Sequence, residues 1–333
     1  MKPPPSLSIV VPLFNEEQTL PELERRLGAV LEALGGTAEV ILVDDGSTDR
    51  TFELASEVVD RDASFRVIRL SRNFGHQVAI TAGLDAAVGQ AVVVMDGDLQ
   101  DPPEVIPELV SRWREGFDVV HAVRVSRAGE PRLRKARASL FYRMLRRLTD
   151  TDMPVDAGDF RLVDRRALAA FKGMRERNRY IRGMFSWIGF RQTTVAYARK
   201  ERYAGESKYP LRKLAKLAAD GVLSFSNAPL RVALRLGFLI SALSLLFAAF
   251  AVAARIAGLY DVPGIASIVV LTSFLGGVQL MLLGIQGEYV ARIYDEVKAR
   301  PLYLVDETRG FAQRSSSADT TSVALSEPLE RSP

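Results

Sequence analysis

The chain has 333 residues, with 44 Lys and Arg against 40 Asp and Glu, a formal net charge of +4 and no cysteine. The lack of cysteine excludes disulfides and thiolate chemistry, and two histidines are too few for a histidine-rich metal site. The basic balance alone fits nucleic acid, anionic lipid or a phosphorylated substrate. The distribution of the charges along the chain therefore has to decide between these classes.

The amino-terminal apolar run, residues 7–14, predicts a buried strand rather than a secretory signal peptide. It contains Pro12, ends at the polar residues 15–17 and lacks a small-residue cleavage site after a long apolar core. We therefore expect the bulk of the chain to stay in the cytoplasm.

Short β-rich runs alternate with helical stretches from residue 6 to about residue 125. Continuous Val and Ile runs bounded by helices indicate a mostly parallel sheet covered on both faces, an α/β fold. Ligands of such sheets bind at the carboxyl ends of the strands, where polar residues follow several of these runs. The predicted strands are 8–13, 40–43, 66–70, 91–95 and 118–123, and the predicted helices lie near 17–34, 49–60, 76–87 and 104–115.

Two carboxylates, Asp96 and Asp98, follow the fourth predicted strand with one residue between them. At this spacing they can share one divalent cation, to which Gln100 could add a neutral oxygen. Mg²⁺ and Mn²⁺ prefer such oxygen ligands and bridge substrate phosphates. Two acids in a loop are often only solvated, but the position after a buried strand favours a metal site.

A second acidic pair, Asp44 and Asp45, ends the second predicted strand. A carboxylate there can accept hydrogen bonds from a base N–H or from ribose hydroxyls. The alternative is a simple turn followed by a helix cap, for which Gly46 and Asp49 are sufficient. Residues 12–17 would supply a third wall of the same site.

Two uncharged stretches, 236–254 and 262–287, predict a transmembrane hairpin. Nineteen helical residues span about 28 Å, close to the hydrocarbon thickness of a bilayer. Basic residues at 212–235 and 292–300 flank the pair, while the short turn holds only Arg255, so both flanks should be cytoplasmic. Two buried helices of a soluble protein are the alternative.

Residues 131–148 combine apolar side chains at helical spacing with many arginines, which is typical of a helix on an anionic membrane surface or of an ordinary solvated helix. The predicted organisation is a sheet-forming domain at 1–210, a juxtamembrane amphipathic segment at 211–234, a transmembrane hairpin at 235–288 with spans near 236–256 and 262–286, a cytoplasmic segment at 289–310 and a disordered tail at 311–333.

Taken together, these motifs resemble the family 2 inverting glycosyltransferases of the GT-A fold. Within that family the chain is similar to the polyprenyl-phosphate glycosyltransferases, which include dolichyl-phosphate mannose synthase and the bactoprenol glucosyltransferases. The resemblance covers roughly residues 6–305, and the loop reads DGD where DAD is common. The matching segments are 11–16 (VPLFNE), 43–47 (VDDGS), 73–77 (NFGHQ), 96–103 (DGDLQDPP), 156–161 (DAGDFR) and 202–209 (RYAGESKY).

The resemblance implies transfer of a sugar from a nucleotide sugar, with UDP favoured (for example UDP-glucose), to polyprenyl phosphate such as undecaprenyl phosphate. It implies Mg²⁺ or Mn²⁺, a cytoplasmic-membrane location and cytoplasmic termini, and it leaves a homo-oligomer open. The implied residues are Pro12, Asn15, Glu16, Asp44 and Asp45 for the nucleotide, Asp96, Asp98 and Gln100 for metal and diphosphate, Arg124, Arg202, Ser207 and Lys208 for the acceptor phosphate, less securely Arg127 and Arg137, and Asp156 and Asp159 as catalytic residues.

A phosphate nucleophile has a second pKa near 6 and is already largely ionised at neutral pH, so a strong general base is less necessary. We therefore rank positioning above base catalysis for Asp156 and Asp159. The alternatives are a membrane glycosyltransferase with another acceptor and a non-catalytic membrane scaffold. Nucleic acid is disfavoured, because the basic residues cluster beside the spans without interleaved aromatics.

Overall fold

The structure, a computed structural model, describes residues 6–35, 38–124, 157–198, 228–257 and 265–311. The chain divides into two compact units. Of the described residues, 6–124, 157–198 and 300–311 belong to an α/β unit, and 228–257 and 265–299 belong to a helical unit.

The α/β unit is built on one eight-stranded sheet with the order β7-β5-β6-β4-β1-β2-β3-β8. Four pairings are parallel, namely β1–β2, β1–β4, β2–β3 and β5–β7, whereas β6 and β8 run antiparallel to their neighbours. The predicted mostly parallel α/β fold is therefore confirmed. The strands are β1 Leu7–Leu13, β2 Ala38–Asp44, β3 Phe65–Leu70, β4 Ala91–Val94, β5 Val119–Arg124, β6 Ala157–Asp164, β7 Gln192–Tyr197 and β8 Val305–Arg309.

Helices connect these strands and cover the sheet. The helix predicted near 104–115 is divided into a 3₁₀ turn, Pro103–Val105, and an α-helix, because prolines at 102, 103 and 107 interrupt regular hydrogen bonding at its start. The helices of the α/β unit are α1 Leu20–Leu34, α2 Thr51–Arg61, α3 His76–Ala86, α4 Ile106–Arg114, α5 Arg165–Gly173 and α6 Ile181–Trp187.

The core lies on both faces of the central strands. All seven residues of β1 and all four of β4 are buried, as expected for parallel strands covered on both sides. Helix α3 packs closely on β1 at Gly83, where a Cβ would collide with the Val10 side chain. This close contact sets α3 above the central strands, with His76 as its first residue.

The segment after the second long helix returns to the sheet, which the sequence did not predict. Strand β8 pairs with the edge strand β3, and Ser71 N donates to Leu304 O (3.0 Å). Tyr303 donates its hydroxyl to Asp85 at the end of α3 (3.0 Å). With the sequence VDETR, β8 is too short and too charged to be recognised as a strand from its pattern.

The helical unit contains α7, Ala228–Ile256, and α8, Ile265–Val297. By length and composition, two stretches of these helices could cross a membrane, Leu230–Ala254 and Val270–Val297, with mean hydropathies of 2.4 and 1.5. Their large apolar side chains are exposed, for example Leu245 at 74% and Leu280 at 72%. Exposure of this kind suits a lipid environment better than water.

Candidate active site

The carboxyl ends of β1 and β2 bring together the first group of predicted residues. Asp44 is fully buried at the end of β2, and its Oδ1 accepts a hydrogen bond from Ser47 N (3.1 Å). Its Oδ2 accepts no hydrogen bond from the described residues and lies 3.6 Å from Arg69 Nε. Burial raises the pKa of Asp44, and the contacts with Ser47 and Arg69 oppose this only in part.

The neighbouring Asp45 holds the loop that follows β3. Its two carboxylate oxygens accept from Phe74 N (2.7 Å) and Gly75 N (2.9 Å). Gly46 allows this approach, since its φ is +68° and a Cβ would lie 2.5 Å from the carbonyl carbon of Arg72. Burial again raises the pKa of Asp45.

The loop after β1 closes against the same turn. Asn15 has a φ of +55°, donates its N–H to Ser47 Oγ (3.0 Å) and accepts from Thr48 N (2.9 Å). Glu16 N donates to Thr51 Oγ1 (2.8 Å), and Pro12 lies beside β2 in the ladder. The structure thus brings the five predicted nucleotide residues into one continuous network.

The acidic loop after β4 lies beside this network. Asp98 is 8% exposed and its Oδ1 accepts from Gln100 N (3.1 Å). A Cβ on Gly97 would lie 2.7 Å from Leu13 Cδ2 and 3.2 Å from Pro12 O, so the loop packs directly on the end of β1. Asp96 Oδ1 is buried, accepts no hydrogen bond of normal geometry from the described residues and lies 3.3 Å from His76 Nε2.

These residues fit a hard divalent cation, because they offer carboxylate and amide oxygens and one buried carboxylate oxygen without a hydrogen bond. A second possible ligand group shares Asp96: His76, Asp96 and Asp159 have ligand atoms within 4.8 Å of one another. In that group Asp159 already contacts two arginines, so its charge is largely balanced. The charge distribution therefore favours Asp96, Asp98 and Gln100 as ligands.

Asp159 is the third residue of β6, and because β6 is antiparallel to β4, the start of β6 lies at the carboxyl end of β4. The buried carboxylate accepts two hydrogen bonds from Arg182, through Nε (2.9 Å) and Nη2 (3.0 Å). His76 Nε2 lies 3.3 Å from Oδ2, and Arg161 Nη2 lies 3.7 Å from Oδ1. Asp159 is thus an anion surrounded by cationic side chains.

The pKa values of this group reflect those contacts. Burial would raise the pKa of Asp159, but Arg182, His76 and Arg161 outweigh it and hold the pKa well below its ordinary value. Burial opposes a charge on His76, yet contacts with Asp159 and Asp96 raise its pKa above the usual range. A carboxylate held so firmly in the ionised form is a poor proton acceptor, which favours a positioning role for Asp159.

Arg124 ends β5 and is 27% exposed. Its Nε donates to the Tyr197 hydroxyl (3.1 Å), and its Nη2 donates to Asp101 Oδ2 (3.4 Å). Gly158 leaves room for the guanidinium, since a Cβ there would lie 3.0 Å from Nη2. Opposing the effect of burial, Asp101 and the tyrosine hydroxyl raise the pKa of Arg124, so the side chain stays charged.

Sequence reasoning missed several side chains of this site. His76, Gln77 and Arg161 lie inside motifs that were recognised, but no role was given to them; Gln77 contacts Asp159 (3.4 Å) and accepts from Ile181 N (3.0 Å). Arg182 and Tyr197 carried no signal. The predicted residues Asp156, Arg127, Arg137, Arg202, Ser207 and Lys208 and the basic segments 131–148 and 211–226 lie outside the described residues.

The protein has a mostly parallel sheet with acidic residues at its carboxyl edge. Residues 8–171 match the family described as "Glycosyl transferase family 2". These two findings define the class of protein: it is a glycosyltransferase with a GT-A-like fold. The relatives agree. An uncharacterized glycosyltransferase from Synechocystis is 48% identical over 92% of this chain and 96% of its own length. The bactoprenol glucosyl transferase of Shigella phage SfII is 38% identical over 91% of this chain and 98% of its own length.

The chain therefore belongs to glycosyl transferase family 2. Among solved structures, the glucosyl-3-phosphoglycerate synthase of Mycobacterium tuberculosis, in complex with phosphoglyceric acid, aligns with a TM-score of 0.46 and 20% identity. That alignment covers 66% of this chain and 78% of the other.

Proposed function

We propose that the protein transfers a sugar, with inversion, from a UDP-sugar to polyprenyl phosphate and so forms a polyprenyl-phosphate-linked monosaccharide. The observation that carries this proposal is the loop 96–101. It begins with the candidate metal ligands and ends in Asp101, which holds Arg124. A cation for the donor diphosphate and a guanidinium for the acceptor phosphate would thus be set side by side by six consecutive residues.

The donor nucleotide is assigned to the network of Pro12, Asn15, Glu16, Asp44 and Asp45. Asp44 supports this assignment, because its buried Oδ2, although 3.6 Å from Arg69 Nε, accepts no hydrogen bond from the described residues and can accept one from a ligand N–H or hydroxyl. An unmet buried acceptor is unfavourable, so a donor group that reaches it is bound with a clear preference. The relatives named glucosyl transferases make UDP-glucose the first donor to test.

Asp96, Asp98 and Gln100 would hold Mg²⁺ or Mn²⁺. When bound, such an ion supplies positive charge against the negative charge that develops on the leaving diphosphate. The loop itself contributes preorganisation, because Gly97 packs on β1 and the Asp98 carboxylate is fixed by Gln100 N.

The remaining chemistry is an in-line displacement. An oxygen of the acceptor phosphate attacks the anomeric carbon, and the bond from that carbon to the nucleoside diphosphate breaks. Since the phosphate is already ionised near neutral pH, the step needs no proton transfer to Asp159. Asp159, held by Arg182 and Arg161, instead orients neighbouring groups such as His76.

The acceptor phosphate is assigned to Arg124, with Arg202, Ser207 and Lys208, and with Arg127 and Arg137 as further contacts. Each charge-assisted contact contributes on the order of 1.5–3 kcal/mol. Arg124→Ala should therefore raise the KM for polyprenyl phosphate about ten-fold or more and leave the KM for the nucleotide sugar nearly unchanged.

The direct test is a transfer assay. Membranes containing the protein are incubated with a panel of labelled nucleotide sugars and undecaprenyl phosphate, and the lipid product is identified by mass spectrometry. We expect one sugar to appear on the lipid phosphate. Transfer of the label to a different acceptor, with no labelled polyprenyl phosphate for any donor, would contradict the proposal.

We also propose that α7 and α8 form a transmembrane hairpin in the cytoplasmic membrane, with the domain 1–210 and both termini in the cytoplasm. The uncharged stretches and the basic flanks support this topology. A cysteine introduced at Gly258 of this cysteine-free chain should react with an impermeant reagent in intact cells, and one introduced at Ser6 should not. The reverse labelling pattern would overturn the topology.

A further inference from the structure

We propose that Tyr197 and Asp101 are positioning residues that orient the Arg124 guanidinium toward the acceptor phosphate. The inference rests on the proposed role of Arg124 and adds two residues to which that role assigns nothing. Neither residue was predicted to belong to the site. Both act through Arg124 rather than by touching the reacting atoms.

The three side chains form a closed triangle. Tyr197 donates its hydroxyl proton to Asp101 Oδ1 (2.5 Å), and the same hydroxyl oxygen accepts from Arg124 Nε (3.1 Å). Arg124 Nη2 completes the triangle at Asp101 Oδ2 (3.4 Å). All three contacts include at least one ionised partner, the Arg124 guanidinium or the Asp101 carboxylate, and such hydrogen bonds are the stronger ones in proteins.

The fold brings these residues together from distant parts of the chain. Strands β5 and β7 are parallel neighbours, and their last residues, Arg124 and Tyr197, face each other in the ladder register. Asp101 arrives from the loop after β4. The triangle therefore links the loop of the candidate metal ligands to the ends of two strands on the other side of β6.

Burial sets the direction of each hydrogen bond. Asp101 is fully buried and Tyr197 is 5% exposed. Burial and the nearby Asp101 carboxylate raise the pKa of the Tyr197 hydroxyl, so it keeps its proton and must donate it to the carboxylate. Its oxygen is then the acceptor that fixes Arg124 Nε, and a phenylalanine at this position would leave Nε without that partner.

The triangle engages only one side of the guanidinium. Nε and Nη2 are used, whereas Nη1 has no hydrogen bond or ion pair with any residue in the described parts of the chain. Arg124 is also partly exposed, so Nη1 is available to a phosphate oxygen. An arginine already fixed in one orientation loses less side-chain entropy when it binds, which improves affinity without a new contact.

The test compares two tyrosines that make similar contacts. Tyr303 also donates a partly buried hydroxyl to an aspartate, Asp85 (3.0 Å), but the arginine on that aspartate is Arg175 rather than Arg124. Tyr197→Phe should raise the KM for undecaprenyl phosphate about five-fold, while kcat at saturating lipid and the KM for the nucleotide sugar change less than two-fold. Tyr303→Phe should change none of these constants more than two-fold, and thermal unfolding in detergent should report on the stability of both variants.

A double-mutant cycle tests whether Tyr197 acts through Arg124. In the Arg124→Ala background, Tyr197→Phe should have no further effect on the KM for the lipid. The inference is overturned if the second substitution keeps its full five-fold effect there, or if Tyr303→Phe matches Tyr197→Phe. If Arg124→Ala raises the KM and Tyr197→Phe does not, only the positioning role fails; if Arg124→Ala leaves lipid use unchanged, the proposed function of Arg124 fails first.

Discussion

The two sides of the sheet's carboxyl edge hold their buried carboxylates in different ways. On the side of β1–β3, Asp45 is held by two backbone N–H groups and Asp44 by one. On the side of β4–β7, Asp101 and Asp159 are held by the side chains of arginine and tyrosine. One side is therefore organised by main-chain geometry and the other by charge pairing.

The pKa directions follow this difference. Burial dominates on the first side and raises the pKa values of Asp44 and Asp45, because the N–H donors, together with Arg69 beside Asp44, compensate it only in part. Arginines dominate around Asp159 and lower its pKa. The carboxylates of the first side are suited to accept hydrogen bonds from neutral ligand groups, such as a base N–H or a hydroxyl. The side chains of the second side are suited to bind charged ligand groups.

The largest expected effect comes from the loop between the two sides. Asp98→Asn keeps the shape of the side chain and its contact with Gln100 N but removes the charge proposed to bind the cation. We expect the transfer rate to fall roughly 10²- to 10³-fold, the size typical of losing a preorganised electrostatic contact. The measurement is single-turnover transfer with Mg²⁺ or Mn²⁺.

Two controls accompany this variant. Asp118→Asn changes an aspartate that accepts from Arg191 N beyond the candidate site, and should keep near-normal rates. EDTA in excess should abolish transfer by the unmodified protein, and added Mg²⁺ or Mn²⁺ should restore it. Full turnover in EDTA would remove the metal from the proposed mechanism.

Removal of one charged partner should reveal the charge pairing on the second side. Arg182→Ala deprives Asp159, whose side chain is only 3% exposed, of both its hydrogen bonds from that guanidinium. We expect the free energy of unfolding to fall by about 2 kcal/mol, less than for a completely unpaired buried ion because Arg161 and His76 remain. The measurement is denaturant or thermal unfolding of the detergent-solubilised protein.

Arg175→Ala is the matched control. Arg175 is as exposed as Arg182, 34% against 33%, but its partner Asp85 is 19% exposed and can be hydrated. Its loss should lower stability by less than about 1 kcal/mol. Equal losses for the two variants would mean that burial of Asp159 does not distinguish the pairs.

The smallest expected effect concerns the contact between Gly97 of the acidic loop and Leu13 at the end of β1. Gly97→Ala places a methyl group against Leu13 Cδ2, the mobile end of a buried side chain, so the site can adjust at a cost of about 1 kcal/mol. Gly28→Ala, in the interior of α1 with nothing within 4 Å of the added carbon, should instead stabilise by about 0.5–1 kcal/mol. Unfolding measurements on both variants check that the free energy of unfolding changes in opposite directions. An increase for Gly97→Ala would show that the contact with Leu13 leaves room for a methyl group.

Much of the first side was predictable because its interactions are short in sequence or follow a strand end directly. Asp44 and Ser47, which share a hydrogen bond, are only three residues apart. Strands β1, β2 and β4 are predicted by their continuous runs of apolar residues rich in Val and Ile. The acidic pair at 96 and 98 was recognised for the same reason. The two candidate membrane spans were predictable for a comparable reason, because long uncharged stretches identify α7 and α8 from composition alone.

The sequence by itself thus determined the fold class, the loops that carry acidic residues and the two long apolar helices, because each depends on local pattern. Only the tertiary structure decided that β8 returns to β3, that Arg182 pairs with Asp159 and that Tyr197 meets Arg124. Arg182 is 23 residues from Asp159 in the sequence, and Tyr197 is 73 residues from Arg124, so no local periodicity indicates these contacts. These contacts depend on the order of the strands in the sheet and on their register, and neither can be inferred from a single sequence.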